Sequence, residues 1–135
     1  MATYPLSEAY IDGDILSASD VNAITEGVND IAFGVVNAQT GTTYTLALTD
    51  VAKIVTLSNA AAITLTVPAN ATVAFPTGTQ LVLAQLGAGQ VTVSPAGGVT
   101  VNCYQSGTKL SGQYAAATLI KLGTDSWLMV GNTTT

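Results

Sequence analysis

Charged residues are scarce in this sequence, and histidine is missing altogether. The chain contains one cysteine, three Lys or Arg residues and eight acids, so only 8% of it is charged. A typical soluble domain is about 25% charged. Without histidine, neither a Ser-His-Asp triad nor a Cys-His pair can form, and a single cysteine does not make a zinc site. We therefore expect no catalytic residues, no metal and no cofactor.

The middle of the chain, from Ile54 to Thr108, has no charged residue at all. Its apolar runs are only a few residues long, whereas a transmembrane helix needs about 18 or more, so we expect no membrane insertion. Hydrophobic residues nevertheless make up 48% of the chain, which is more than so small a domain buries easily. We expect the surplus to be buried against further copies of the chain.

The few charges are unevenly placed along the chain. Six of the eight acids lie in the first 30 residues, which contain no base, whereas residues 31–135 contain two acids and three bases. No segment could neutralise a row of phosphates, so we expect no nucleic-acid partner. The acidic N-terminal segment suits a basic protein surface better.

The first 16 residues predict an anchoring arm. They combine aromatic and apolar side chains with an Asp-Gly-Asp turn and show no periodic face that could be buried within a domain. The predicted anchoring residues are Tyr4, Leu6, Tyr10, Ile11, Asp12 and Asp14.

Residues 17–40 predict a short oligomerising helix and a linker. Apolar residues at spacings of three and four lie on one stripe of a helix; these are Val21, Ile24, Val28, Ile31 and Val35. The helix either packs on its own domain or joins copies of itself around a symmetry axis. Two heptads are short and Gly27 weakens the helix by about 1 kcal/mol relative to alanine, so a bundle would need the following domain to hold it together.

From residue 41 the hydrophobic period changes to two, which indicates β-strands. Turn-forming residues separate the segments, and the pattern predicts a mainly β domain over residues 41–132. We expect an eight-stranded antiparallel β-sandwich or barrel, with residues 133–135 as a tail. The predicted strands are 43–49, 53–57, 62–67, 79–86, 90–94, 98–102, 117–122 and 126–132.

Some of these strands are apolar on both faces. Segments 90–94 and 98–102 alternate between apolar and hydroxyl or amide residues, as half-exposed strands do. Segments 79–86, 117–122 and 126–132 have apolar residues on both sides. In a small domain this predicts contacts beyond the domain, and we assign Leu128 and Val130, with the helical stripe, to an oligomer interface.

Candidate residues for a ligand site are few. Asp50 and Asp125 are a conceivable glycosidase pair, but both stand at turn positions, where aspartate commonly accepts a local backbone hydrogen bond. Trp127 could form a sugar-stacking platform with Tyr104 or Tyr114. Its place in an apolar strand favours a core or interface position instead.

Two long segments resemble virion proteins of tailed bacteriophages. "YIDGDILSASDVNAITEGVNDI" (10–31) is similar to the opening of phage fibre and appendage proteins, where the phrase DGD-[IVL]-L-[TS]-A-x-D-[LV]-N precedes a short oligomerising helix. Residues 45–102 and 112–132 resemble a β domain found at the distal ends of phage virion proteins.

The resemblance implies a homotrimer on the virion surface, assembled in the cytoplasm of the bacterial host. Its N-terminal arm would dock on the major capsid protein or another virion platform, with the β domain as an outward knob. The missing shaft favours a non-enzymatic capsid decoration protein or short head fibre. The alternative is a tail fibre or tail-tip adhesin that recognises a host-surface glycan.

Overall fold

The computed structural model describes residues 35–135, which form eleven β-strands in two sheets. Two short 3-10 turns, Leu48–Asp50 and Tyr104–Ser106, interrupt them. The strands are β1 Val36–Gln39, β2 Thr43–Thr45, β3 Ile54–Leu57, β4 Ile63–Val67, β5 Gln80–Gln85, β6 Val91–Pro95, β7 Thr100–Cys103, β8 Lys109–Leu110, β9 Ala116–Gly123, β10 Ser126–Gly131 and β11 Thr133–Thr134.

The first six strands wind alternately through the two sheets. Strands β1, β3 and β5 lie side by side in the first sheet and β2, β4 and β6 in the second, with every neighbouring pair parallel. This winding is that of a short β-solenoid, in which each circuit adds one strand to each sheet. The first sheet continues through β9, β10 and β7, and the second through β8 and β11.

The core lies between the two sheets, because alternate residues of every long strand point inward. Parallel register stacks Val55 on Leu83 in the first sheet and Leu65 on Val93 in the second. These residues are fully buried in one apolar cluster. Each buried aliphatic side chain of this size contributes about 1.5–3 kcal/mol relative to an exposed one.

Glycines allow the turns of successive circuits to lie directly on one another. The turn after β5 packs on the turn after β3, and the backbone N–H of Gly89 donates to the carbonyl of Asn59 at 2.8 Å. A Cβ at Gly89 would lie 1.8 Å from the carbonyl oxygen of Ala61, and one at Gly87 would lie 2.5 Å from the backbone nitrogen of Asn59. No side chain fits at either position, which explains the Gly-Ala-Gly sequence.

The predicted mainly β architecture is confirmed, and each of the eight predicted segments contains a strand. The predicted antiparallel pairing is wrong. Of the nine strand pairings in the described residues, five are parallel. A period of two identifies a half-buried strand, but it does not indicate whether the neighbouring strand runs parallel or antiparallel. Turn-forming residues do not decide this either, because they occur both in hairpins and at corners where the chain passes from one sheet to the other.

Both ends of the β domain also differ from the prediction. Strand β1 begins inside the segment assigned to the helix and linker, and β11 inside the predicted tail. Val35, the last residue of the predicted helical stripe, is not helical: its carbonyl accepts a hydrogen bond from the backbone N–H of Ile54 at 3.1 Å, in continuation of the β1–β3 pairing.

Candidate functional site

The outward side of the first sheet is an apolar surface. The register aligns Val36, Ile54, Val82, Thr118 and Val130 in one row across five neighbouring strands. We call this side the apolar face; its aliphatic members are Val36, Ile54, Val82, Ile120, Leu122, Leu128 and Val130.

Several residues of the apolar face remain open to solvent. Val36 is 56% exposed, Leu122 54% and Val130 44%, while Ile120 and Leu128 are half-buried. The outward rows contain only aliphatic, Thr, Ser, Gln, Asn and Gly residues. Lys53 borders one end of the face, where it lines a cavity together with Ile54 and Val82. A contiguous uncharged surface of this kind usually marks a place where another molecule binds.

The predicted interface residues of β10 lie on this face. Leu128 and Val130 point outward, whereas their neighbours Trp127 and Met129 are buried in the core. The strand is therefore apolar on both sides because one side faces the core and the other belongs to the apolar face. Their contact with another subunit stays a prediction.

The outward side of the second sheet has a different chemistry. Parallel register places Thr43 beside Thr64 and Thr64 beside Thr92, and a second row joins Thr45, Thr66 and Ser94. We call these two rows the threonine face. Lys109 and Thr134 extend the first row.

A buried carboxylate closes the first circuit. Asp50 Oδ2 accepts hydrogen bonds from the hydroxyl of Tyr44 at 2.7 Å and from the backbone N–H of Ala47 at 2.9 Å, and Oδ1 accepts one from Asn37 Nδ2 at 2.7 Å. Burial, followed by the hydrogen bond to Asp50, raises the pKa of Tyr44 to about 12. The expected local cap at Asp50 is confirmed, and the carboxylate also fastens β1 and β2.

Asp125, the other carboxylate considered for catalysis, holds a distant part of the chain. Its Oδ1 accepts the backbone N–H of Asn70 at 2.7 Å. The expectation of a local cap is therefore wrong for this residue, because its partner is 55 positions away in sequence. Within residues 35–135, Asp50 and Asp125 have no hydrogen-bond partner in common.

A buried lysine lies at the other end of the hydrogen-bond network around Asn70. Lys121 is 2% exposed, and its Nζ donates to Asn70 Oδ1 at 2.5 Å and to the carbonyl of Phe75 at 2.7 Å. The Nζ also lies 5.9 Å from the ring centre of Trp127. Sequence reasoning missed this cluster, although the alternation in "TLIKL" (118–122) already places Lys121 on the same side as the buried Leu119.

The aromatic residues separate into core and surface. Trp127 is 1% exposed and meets Phe75 edge-on, with ring centres 5.5 Å apart at 83°. The expected core position is confirmed, and Trp127 presents no open ring for a sugar. Tyr104 and Tyr114 are exposed, and Tyr104 borders an open cavity of about 350 Å³ that also contacts Leu128 and Val130.

Ten predicted site residues lie outside the described part of the chain. They are the arm residues Tyr4, Leu6, Tyr10, Ile11, Asp12 and Asp14 and the helix residues Val21, Ile24, Val28 and Ile31.

No protein-family profile matches the chain, and a sequence search of curated proteins finds no match either. Between residues 35 and 135 no helix has the length and apolar character to cross a membrane. Nor do three or more His, Cys, Asp or Glu side chains cluster as metal ligands within those residues.

Proposed function

We propose that this chain is a non-enzymatic structural protein of a tailed-phage virion, a homotrimeric capsid decoration protein or short head fibre. The observation that carries the proposal is the uncharged apolar face on an otherwise hydroxyl-rich β domain. The resemblance of residues 10–31, 45–102 and 112–132 to phage virion proteins supports the same assignment.

A second copy of the chain is the partner that suits the apolar face. Each copy presents the same aliphatic row, with Ile54 and Val82 at its centre and Val36 and Val130 at its ends. The rows themselves contain no charged side chain, so burying them avoids most of the desolvation cost that weakens polar interfaces; Lys53, at the edge beside Ile54, can keep its ammonium in solvent. A partner that binds through charges would find no counter-charge in these rows.

The acidic N-terminal segment supplies the attachment to the particle. The first 30 residues carry six acids and no base, which suits a basic patch on the capsid. Apolar arm residues such as Tyr4 and Leu6 would provide most of the affinity, while the acids increase the encounter rate and orient the arm.

Attachment is tested with virions that lack the protein, to which purified chain is added back. The full chain should decorate the capsid in electron micrographs, whereas a chain without residues 1–11 should keep its oligomeric state in solution and leave the capsid bare. The matched control, Asp12→Asn with Asp14→Asn, should weaken decoration less and reduce its sensitivity to salt. Full decoration by the truncated chain would contradict the proposed anchor, and binding to the tail alone would contradict the assignment to the head.

A glycan-binding adhesin is the second candidate, and the threonine face favours it. The rows of hydroxyl groups offer hydrogen bonds to a sugar, and the exposed rings of Tyr104 and Tyr114 offer surfaces on which a sugar can stack. A glycan array probed with the full chain tests this function. Binding that is lost in Tyr104→Ala but kept in Leu122→Ala would support the adhesin.

A further inference from the structure

Lys121 occupies an unusual place for a lysine. Its side chain points into the core from β9, and both of its described hydrogen-bond acceptors, on Asn70 and Phe75, are neutral oxygens. Charged groups buried in proteins are normally paired with an opposite charge, because burial without one is costly. A lysine kept in such surroundings calls for an explanation beyond packing.

The side-chain amide of Asn70 lies next to this lysine. Nζ is 2.5 Å from Oδ1, which is shorter than a usual N–H···O hydrogen bond. Because a C=O bond is about 1.23 Å long, Cγ of Asn70 must lie within about 3.7 Å of Nζ. This approaches the separation of about 3–3.5 Å from which an oriented nucleophile reacts.

Hydrogen bonds from the surroundings hold both groups in place. Asp125 holds the backbone N–H of Asn70 at 2.7 Å, and the carbonyl of Phe75 holds Nζ from another direction. Lys121 is almost fully buried beside the rings of Phe75 and Trp127, while Asn70 is half-buried. The attacking amine is therefore held in a largely apolar environment.

We propose that Lys121 and Asn70 become joined by an intramolecular isopeptide bond. The lone pair of the Nζ amine attacks Cγ of Asn70 and forms a C–N bond. The bond from Cγ to Nδ2 then breaks, and ammonia leaves with the proton that Nζ gives up. One primary amine and one primary amide thus become one secondary amide and ammonia, and no oxidant or co-reactant is consumed.

Asp125 acts as a positioning residue, because it binds the backbone of Asn70 and not the reacting amide. The resulting bond would connect the turn after β4, in the second sheet, with β9 in the first. It would close a loop between residues 51 positions apart, which restricts the unfolded chain in the way a disulfide does.

Intact mass spectrometry of the denatured full chain tests the proposal. The wild-type chain should be lighter than its sequence by one ammonia. Lys121→Met and Asn70→Ala should each show the full mass of their own sequences, whereas the control Lys109→Met, altered on the threonine face, should keep the loss.

Trypsin distinguishes the isopeptide from a succinimide at Asn70, which also loses ammonia. A linear chain is cut after Lys53, Lys109 and Lys121, whereas the proposed bond blocks cleavage at Lys121 and joins peptide 54–109 to peptide 110–135. A folded wild-type chain with its full sequence mass, or normal cleavage after Lys121, would overturn the proposal whatever the variants show.

The role of Asp125 is measured as the rate at which newly synthesised chain, collected unfolded and still at its full sequence mass, loses ammonia once it is allowed to fold. Asp125→Ala should slow the loss, and Asp125→Asn should largely restore it, since the Asn side chain still has an oxygen that accepts the backbone N–H of Asn70. Equal rates in both variants and in the wild type would remove Asp125 from the proposal.

Discussion

The two sheets of this domain share a core and a winding path but present opposite outward faces. Along the threonine face, each of β2, β4 and β6 carries a hydroxyl residue at both central outward positions. Along the apolar face, the corresponding positions of β1, β3 and β5 are Val, Ile or Ala, with Thr56 as the exception. Val, Ile and Thr suit a strand almost equally well, so local folding does not explain the difference.

The difference therefore concerns what contacts each face, solvent or another molecule. A threonine row exposes hydroxyls that water can solvate, so a sheet can leave it uncovered at little cost. Exposing an aliphatic row such as Ile54 and Val82 to water is unfavourable, by about 25 cal/mol for each Å² of apolar surface. Since the same strands could have carried threonine, the aliphatic side chains support the proposal that another copy of the chain covers the apolar face.

Making the apolar face resemble the threonine face should have the largest effect. The triple variant Ile54→Thr, Val82→Thr and Val130→Thr keeps β-branched residues, so the domain should still fold. Each hydroxyl buried without a partner in an interface costs about 1–3 kcal/mol. Light scattering should show a trimer for the wild-type chain and a mass near 13.6 kDa for the variant.

The control for this experiment places the same number of changes on the other side. Thr43→Ser, Thr64→Ser and Thr92→Ser alter three outward residues in one row without making the face apolar. This chain should keep the wild-type mass. A wild-type mass near 13.6 kDa at micromolar concentration would contradict self-association through the apolar face.

The reverse exchange gives the threonine face an aliphatic row. We expect it to change assembly less than the first variant does, and in the opposite direction. Thr43→Val, Thr64→Val and Thr92→Val would create a second aliphatic row while retaining the shape of each side chain. The variant should unfold at the same or a higher temperature, because valine suits strands well. Size-exclusion chromatography should show species larger than the wild-type oligomer, and an unchanged profile would mean that the outward chemistry does not control assembly.

The positions of the strands could be predicted from the sequence, but their pairing could not. Alternation identified β4, β6 and β10 because each has one face in the core. Strand β1 was missed because its inward residues, Asn37 and Gln39, are polar and bond to one another and to Asp50. An inward face made of hydrogen-bonded polar residues carries no hydrophobic period.

The candidate surfaces were predictable only in part, for a related reason. Alternation in the segment around Leu128 and Val130 revealed a second apolar side, but only the register shows that these residues continue the row of Val82 across neighbouring strands. The Lys121 cluster depends on Asn70 and Asp125, which meet through contacts 51 and 55 positions apart. No local pattern encodes such contacts.

The most local effect, which leaves assembly unchanged, concerns Tyr44, the inward residue between the outward Thr43 and Thr45 of β2. In the folded chain its pKa is about 12, against an ordinary value of 10, so folding favours the protonated hydroxyl. The stabilisation is complete below pH 10 and is lost as the pH rises from 10 to 12. Tyr44→Phe should lower stability near neutral pH by about 1.5–3 kcal/mol, the usual contribution of a hydrogen bond to a charged group.

The same variant should also lose part of its alkaline sensitivity, since no hydroxyl remains to ionise beside Asp50. Thermal melts at pH 8, 10 and 12 should show a smaller fall of the midpoint for Tyr44→Phe than for the wild-type chain. Tyr104→Phe is the matched control: Tyr104 is 82% exposed, and the melting curves of this variant should follow the wild type throughout. If all three chains lost stability equally between pH 10 and 12, the Tyr44–Asp50 hydrogen bond would not be the cause of the alkaline sensitivity. The inward side of β2 would then contribute no more to this sensitivity than its outward threonines.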